Sequence, residues 1–255
     1  MQSLKYLLSL GLLWLLLGNA QGQTLHVCIP DVSSPPRTFP DHDGQVQYLI
    51  RRAVSEQGWA VEFIPVPWRR CLAGVASGRY DAVATAPANT NTQHSLSFPM
   101  HGGQLDQNRA SAEYVLRVFR PLGGKAGWDG RHFTGLETPV LIRAGAIGLK
   151  NWLAGVGAVS EDSAKSVPQI MQMLLHGRAQ IGVGSQDEVL LALQSVEVKG
   201  QIELLPGQLG RTLLYTGVNK SFYAREPGTT EAIWTAIGRI QRTPEWQQLA
   251  PKLAQ

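Results

Sequence analysis

The residues of this chain best suited to chemistry are two cysteines, Cys28 and Cys71, and two adjacent carboxylates, Asp187 and Glu188. Two thiols in an exported chain can form a disulfide. Packed in a buried strand and on the apolar face of a helix, they can equally remain free thiols. A carboxyl group near a strand end can act as a general acid where its surroundings keep it protonated. The same pair can also be the acidic first turn of a helix, favoured by the dipole. The chain has no G-x-S-x-G elbow, H-E-x-x-H zinc helix or P-loop,. It also lacks a C-x-x-C or His-rich cluster, its six histidines being dispersed, so neither a metal nor another cofactor is expected. A net charge of +4 carried by scattered lysines and arginines argues against a nucleic-acid groove, where basic residues cluster on one face. Binding is favoured over catalysis.

Export is written at the N-terminus. Lys5, the apolar run from Leu7 to Leu17 and the small or polar residues from Gly18 to Gly22 follow the order of a cleavable signal peptide, with cleavage after Ala20 or Gly22,. The run is shorter than the roughly 20 apolar residues of a permanent anchor, and no cysteine follows it to carry a lipid. About 235 residues remain, enough for one large domain or two small ones. With 44% hydrophobic and 16% charged residues, the chain has ample material for a core.

The elements that must position the chemistry alternate. Leu25 to Ile29 is an apolar strand that feeds a long Pro/Ser/Asp loop from Asp31 to Gly44,. Val46, Leu49, Ile50, Ala53 and Val54 stand at helical spacing, Gly58 stops that helix, and Ala60 to Val66 alternates as a strand,. A second helix opens at Pro67-Trp68 with Cys71, Leu72, Val75 and Ala76 on one face, and Tyr80 to Ala86 follows as a third strand. Pro87 to Arg109 is irregular, and Ala112 to Arg120 is a strand. The same grammar then repeats: strand Pro139 to Arg143, turn Gly145 to Gly148, helices Leu149 to Leu153 and Ser166 to Leu175, strand Ala179 to Val183, helix Asp187 to Gln194. Strand Thr212 to Val218 and helices Thr229 to Arg242 and Glu245 to Leu253 finish the chain and are expected to pack back on the first lobe. Strands alternating with helices imply a mostly parallel sheet whose ligands bind beyond the strands' carboxyl ends. The loops after Ile29, Val66 and Thr85 therefore converge.

Val66-Pro67-Trp68-Arg69-Arg70, Ser77-Gly78-Arg79-Tyr80-Asp81-Ala82, Leu96-Ser97-Phe98-Pro99, His176-Gly177-Arg178-Ala179 and Thr243-Pro244-Glu245-Trp246, in that order and spacing, resemble the bacterial extracellular solute-binding proteins of family 3, the polar-amino-acid type that serves ABC importers. The resemblance spans nearly all of the mature chain. It implies an α/β architecture, two Rossmann-like lobes joined by a two-strand hinge (the periplasmic binding protein type II fold), with hinge strands near Val115 and Leu214. The implied division is a signal peptide at 1–22, lobe 1 at 23–117 plus 210–255, and lobe 2 at 118–209.

Carried over residue by residue, the resemblance assigns the first-lobe wall to Trp68 and the hydroxyl and backbone donors to Thr85, Ala86 and Ala88. The family's carboxylate-clamping arginine falls on Gln93, or on Thr92 with the gap moved by one, and neither side chain can form its bidentate ion pair. The family's Gly-Thr-Thr turn falls on Gly145-Ala146-Ile147, and its amine-pairing carboxylate on Ser185, with Asp187 the nearest replacement. Substitutes stand in the right loops: Asp31 and Arg37 after the first strand, Arg69 after the second, Arg143 before the turn, Tyr215 near the hinge. Arg37, Arg69 and Arg70 read more simply as solvated surface charges.

The resemblance thus implies a periplasmic, monomeric, non-enzymatic protein that captures a small polar solute, an amino acid or related compound, for an inner-membrane ABC permease or a sensor domain. Two alternatives stand beside it: a cyclohexadienyl dehydratase-like enzyme using Asp187 or Glu188 as its acid, and a degenerate lobe pair that binds a protein partner.

Overall fold

The computed structural model describes residues 23–254; the expected signal peptide lies outside them. β1 (Thr24–Pro30) buries Leu25, Val27, Cys28 and Ile29; the last three are consecutive and so face both sides of a sheet covered on each face. α1 (Gln45–Ser55), β2 (Ala60–Val66), α2 (Trp68–Ala76) and β3 (Ala82–Pro87) follow, and β1 pairs in parallel with β2 on one side and β3 on the other. The long loop between β1 and α1 is fixed to the helix it precedes. Gln45 N–H donates to Pro36 O at 2.9 Å and Val46 N–H to Arg37 O at 3.0 Å. Gln47 bridges back, donating to Phe39 O and accepting from Phe39 N–H. Gly44 allows this approach, because a Cβ there would lie 2.6 Å from Arg37 O.

The irregular stretch after β3 breaks into short pieces: α3 (Thr90–Gln93), β4 (Leu96–Ser97), the small antiparallel pair β5 (Met100–His101) and β6 (Gln104–Leu105), and a 3-10 turn at Gln107–Arg109. β7 (Ala112–Pro121) then leaves this half of the molecule. The second half holds β8 (Gly127–Trp128), β9 (Phe133–Thr134), β10 (Val140–Arg143), α4 (Ile147–Gly155), β11 (Ser160–Ala164), α5 (Val167–Leu175), β12 (Gly182–Ser185), α6 (Gln186–Ala192) and β13 (Ile202–Leu204). β14 (Gly210–Asn219) returns to the first half, and α7 (Lys220–Arg225), α8 (Pro227–Gln241) and α9 (Pro244–Leu249) complete the order.

The main sheet runs β2-β1-β3-β14-β7-β12-β10-β11. Its two ends are parallel and its middle antiparallel: β14 pairs through Gly210–Leu214 with β7 and through Leu214–Val218 with β3. β7 pairs through Leu116–Phe119 with β12. Each of these two strands therefore belongs to both lobes, and together they form the hinge. Four buried clusters cover the two faces of the two lobes. On one face of the first lobe, Leu49, Ile50, Ile233, Trp234 and Ile237 close over β1, so the C-terminal helices pack on that lobe; on the other face lie Cys28, Cys71, Phe98 and Tyr215. Phe119, Ile170 and Met171 fill one side of the second lobe, and Ile142, Leu153 and Trp128 the other.

Element boundaries depart from the sequence reading in two instructive places. α4 starts at Ile147 rather than Leu149. The strand β11, Ser-Glu-Asp-Ser-Ala, was not expected at all; it is the last strand of the sheet, where half-exposed polar residues replace the apolar alternation that marks a strand.

Candidate functional site

The two lobes meet at the carboxyl ends of β1, β10 and β12, and an arginine lies buried there. The pinned loop after β1 carries Arg37 across the gap with only 3% of its side chain exposed. Its guanidinium donates to Asp187 Oδ2 at 3.1 Å, to Ser185 Oγ at 3.1 Å, to Ser34 Oγ at 3.3 Å and to Glu188 Oε1 at 3.3 Å. It also stands 5.0 Å from the ring centre of Tyr114 on β7, within cation–π range. The expectation of a solvated Arg37 is corrected: Gly44 and Gln47 hold its loop against α1, which points the side chain inward.

Glu188 is the acceptor on the other side. It is 5% exposed, and its Oε1 accepts from Ser34 Oγ at 2.9 Å, from Arg37, and from Arg143 Nη1 at 2.8 Å. Its Oε2 is buried with no hydrogen-bond partner among the described residues. Ser185 caps α6, its Oγ accepting from Glu188 N–H while also receiving Arg37. Burial pushes the Tyr114 hydroxyl above its ordinary pKa, with the Glu188 charge adding to the rise and Arg37 and Arg143 opposing it; the ring stays neutral beneath the guanidinium. Charged donors on a carboxylate make the strong class of hydrogen bond, and here they span the lobes.

A second set of contacts crosses the gap beside the Gly145 turn. The turn carries φ +82° at Gly145, and a Cβ there would lie 3.6 Å from Trp68 Cδ1, so the indole of α2 rests against it. Arg69 pairs with Asp162 at 3.6 Å, and Lys150 with the same carboxylate at 3.1 Å. Asp162 is held below the usual carboxylate range, first by its hydrogen bond from Lys150 and also by the Gly145 backbone N–H. Asn89 approaches from the first lobe, 4.0 Å from where a Gly148 Cβ would stand.

The structure thus brings Arg37, Trp68, Arg143, Gly145, Ser185 and Asp187 to the lobe junction. The other expected residues have their recorded contacts within their own lobe. Tyr215 is 2% exposed and packs edge-on against Phe98 in the first-lobe core, where burial raises its hydroxyl. Ala86 is fully buried in β3, and Ala88 packs beside it against the same core. The Thr92 hydroxyl is committed to capping α3, donating to Pro87 O at 2.5 Å and accepting from Asn89 N–H. Gln93 is exposed and donates to Ala88 O at 3.4 Å. Asp31 is exposed, its N–H donating to Val66 O. Thr85 is partly exposed in β3, Ala146 packs on the second-lobe core, and Ile147 is exposed at the start of α4. Cys28 and Cys71 are joined in a disulfide, Cα–Cα 5.6 Å, that ties β1 to α2. Ser34, Tyr114 and Asp162 belong to the junction and were not singled out from sequence; Glu188 was named only as an acid. Ser34 and Tyr114 carry no motif, and Asp162 sits in the unexpected strand.

No protein-family model and no curated protein matches the chain. Solved structures do. A histidine kinase sensor domain with similarity to periplasmic binding proteins superposes with a TM-score of 0.71 at 14% identity, covering 92% of this chain and 97% of that one. The chain has the fold of the periplasmic binding proteins. The GluR0 ligand-binding core from Nostoc punctiforme, in complex with L-glutamate, superposes at 0.68 and 14% identity over 91% of this chain and 98% of its own. A putative L-cystine ABC transporter from Listeria monocytogenes does so at 0.69 and 16% identity over 91% and 96%. At these identities the likeness is one of fold.

Proposed function

We propose that the chain is an exported, monomeric two-lobed receptor, with lobe 1 at 23–117 plus 210–255 and lobe 2 at 118–209. It takes a small polar solute into the cleft and presents it to an inner-membrane ABC permease or a sensor domain. The observation that carries this reading is the polar cluster of Arg37, Arg143, Ser185, Asp187 and Glu188 at the carboxyl ends of strands from both lobes, the position at which open α/β sheets bind ligands. Neighbours described as an L-glutamate complex, an L-cystine ABC transporter and a kinase sensor domain support a solute-capturing role. The buried Cys28–Cys71 disulfide suits an oxidising compartment such as the periplasm.

Binding without chemistry fits the cluster better than elimination does. A general acid must present its proton to the substrate, whereas Glu188 Oε1 is an acceptor for three protein donors. The test is a thermal-shift screen of the mature protein against amino acids, polyamines, small organic acids and prephenate-like compounds. A solute at a hundred times its dissociation constant adds about 2.7 kcal/mol of stability, and Arg143→Ala should abolish the hit. Silence across the whole library would overturn the solute-binding reading.

A further inference from the structure

In a cleft that closes on a solute, the solute supplies the contacts that hold the lobes together. In this chain a protein side chain supplies them. We infer that Arg37 is a tethered internal ligand: its guanidinium occupies the cleft's acidic corner, holds the lobes shut without a solute, and admits only solutes whose cationic end can take its place.

The argument rests on placement. Arg37 comes from the first lobe, its hydrogen-bonding partners Asp187, Ser185 and Glu188 come from the second, and Tyr114 beneath it comes from a hinge strand. One group therefore touches both lobes and the hinge. The corner's own chemistry is that of a cation site, with two carboxylates, a hydroxyl and an aromatic face. Every one of these is turned on Arg37, and the side chain is almost wholly buried, so the guanidinium is held from all sides of the corner. The loop is not free to wander: Gln45 and Val46 N–H bond its backbone at Pro36 and Arg37, and Gln47 holds Phe39. At the other end of the junction Arg69 of the first lobe pairs with Asp162 of the second, whose carboxylate Lys150 also holds. A solute entering the acidic corner must exchange with Arg37; Glu188 keeps Arg143 and Ser34 as donors, and a guanidinium or primary ammonium is what gives Asp187 a charged partner again. An anion or a neutral group would leave Asp187 without its charged partner and Glu188 with Arg143 and Ser34 alone, one donor short at a buried oxygen,.

This inference rests on the solute-cleft reading for its biological sense, but its test does not depend on knowing the solute. The experiment compares wild type with Arg37→Ala by small-angle scattering and thermal shift, with methylguanidinium as the probe at millimolar concentration. Wild type should be compact and indifferent to the probe. Arg37→Ala should show a larger radius of gyration, return to the wild-type value on addition of methylguanidinium, and melt higher in its presence. Cationic hits from a solute screen should bind Arg37→Ala at least about tenfold tighter than wild type, because the competing closed population is gone.

Should Arg37→Ala fail to fold, Arg37→Lys keeps the charge but cannot span Asp187, Ser185 and Glu188 at once. It should give an intermediate radius and a weaker response. An Arg37→Ala protein, or in its stead an Arg37→Lys protein, that is as compact as wild type without the probe overturns the inference, and so does a probe response equal in wild type and variant. The two readings fail separately. A wild type that binds a solute while Arg37→Ala stays closed refutes the tethered ligand alone. A variant that opens and is rescued by methylguanidinium, beside a wild type silent to every solute, keeps the tethered ligand and refutes solute capture.

Discussion

Replacing Cys28 and Cys71 together by alanine removes the covalent tie between β1 and α2. The bond closes a loop across a sequence separation of 43 residues, for which the chain-entropy estimate is about 4 kcal/mol at 25 °C. Both sulfurs are fully buried, so the variant also loses some packing in the cluster formed with Val75, Val83 and Phe98. For a chain of this length each kcal/mol corresponds to about 2–4 °C in Tm, which places the expected fall near 8–16 °C. The assay is urea denaturation of oxidised wild type and the double variant, followed by fluorescence and by ellipticity so that loss of two-state behaviour would be seen. The same pair of samples should be compared with a reductant present, which should move the wild-type curve toward that of the variant and leave the variant unchanged. A loss below about 1 kcal/mol would refute the reasoning, because it would mean that the unfolded chain gains little freedom when the bond is absent.

Trp234→Phe should cost about 1–3 kcal/mol: Trp234 is fully buried and its Nε1 donates to Thr216 O at 2.8 Å, a hydrogen bond that phenylalanine cannot make, and thermal melting measures it. Gly44→Ala should cost about 1–3 kcal/mol, since the added methyl meets Arg37 O at 2.6 Å. By moving the loop it should also enlarge the radius of gyration in the manner of Arg37→Ala, and a variant with wild-type compactness would show that Gly44 does not set the Arg37 position.

The lobes were legible in the sequence because their strands are apolar on both faces and their helices keep one apolar stripe: Leu25, Val27 and Ile29 against Leu49 and Ile50 leave little choice of period. β11 was not legible, because an edge strand of Ser, Glu, Asp, Ser and Ala carries no such period. The junction was legible only in part. Strand order brings together the loops after β1, β2 and β3, the first of which carries Arg37, and the resemblance supplied Arg143, Ser185 and Asp187. The direction of a long flexible side chain is set by contacts remote in sequence, however, and the turning inward of Arg37 depends on Gly44 and Gln47 holding a proline-rich loop against α1. For Tyr215 and Thr92 the resemblance supplied the position while local packing and helix capping took the side chain elsewhere.

β14 joins the first lobe only after the whole second lobe has been traversed, pairing with β3 through residues whose partners lie more than a hundred positions earlier. During synthesis from the N-terminus the first lobe therefore stays without one strand and its covering helix α8 until nearly the last residues appear. The second lobe is contiguous and can complete itself sooner. A ribosome-bound chain offers β3 with one open edge, so the molecule meets any chaperone as an incomplete sheet, and the segment from β14 through α8 acts as the closing piece of the fold,.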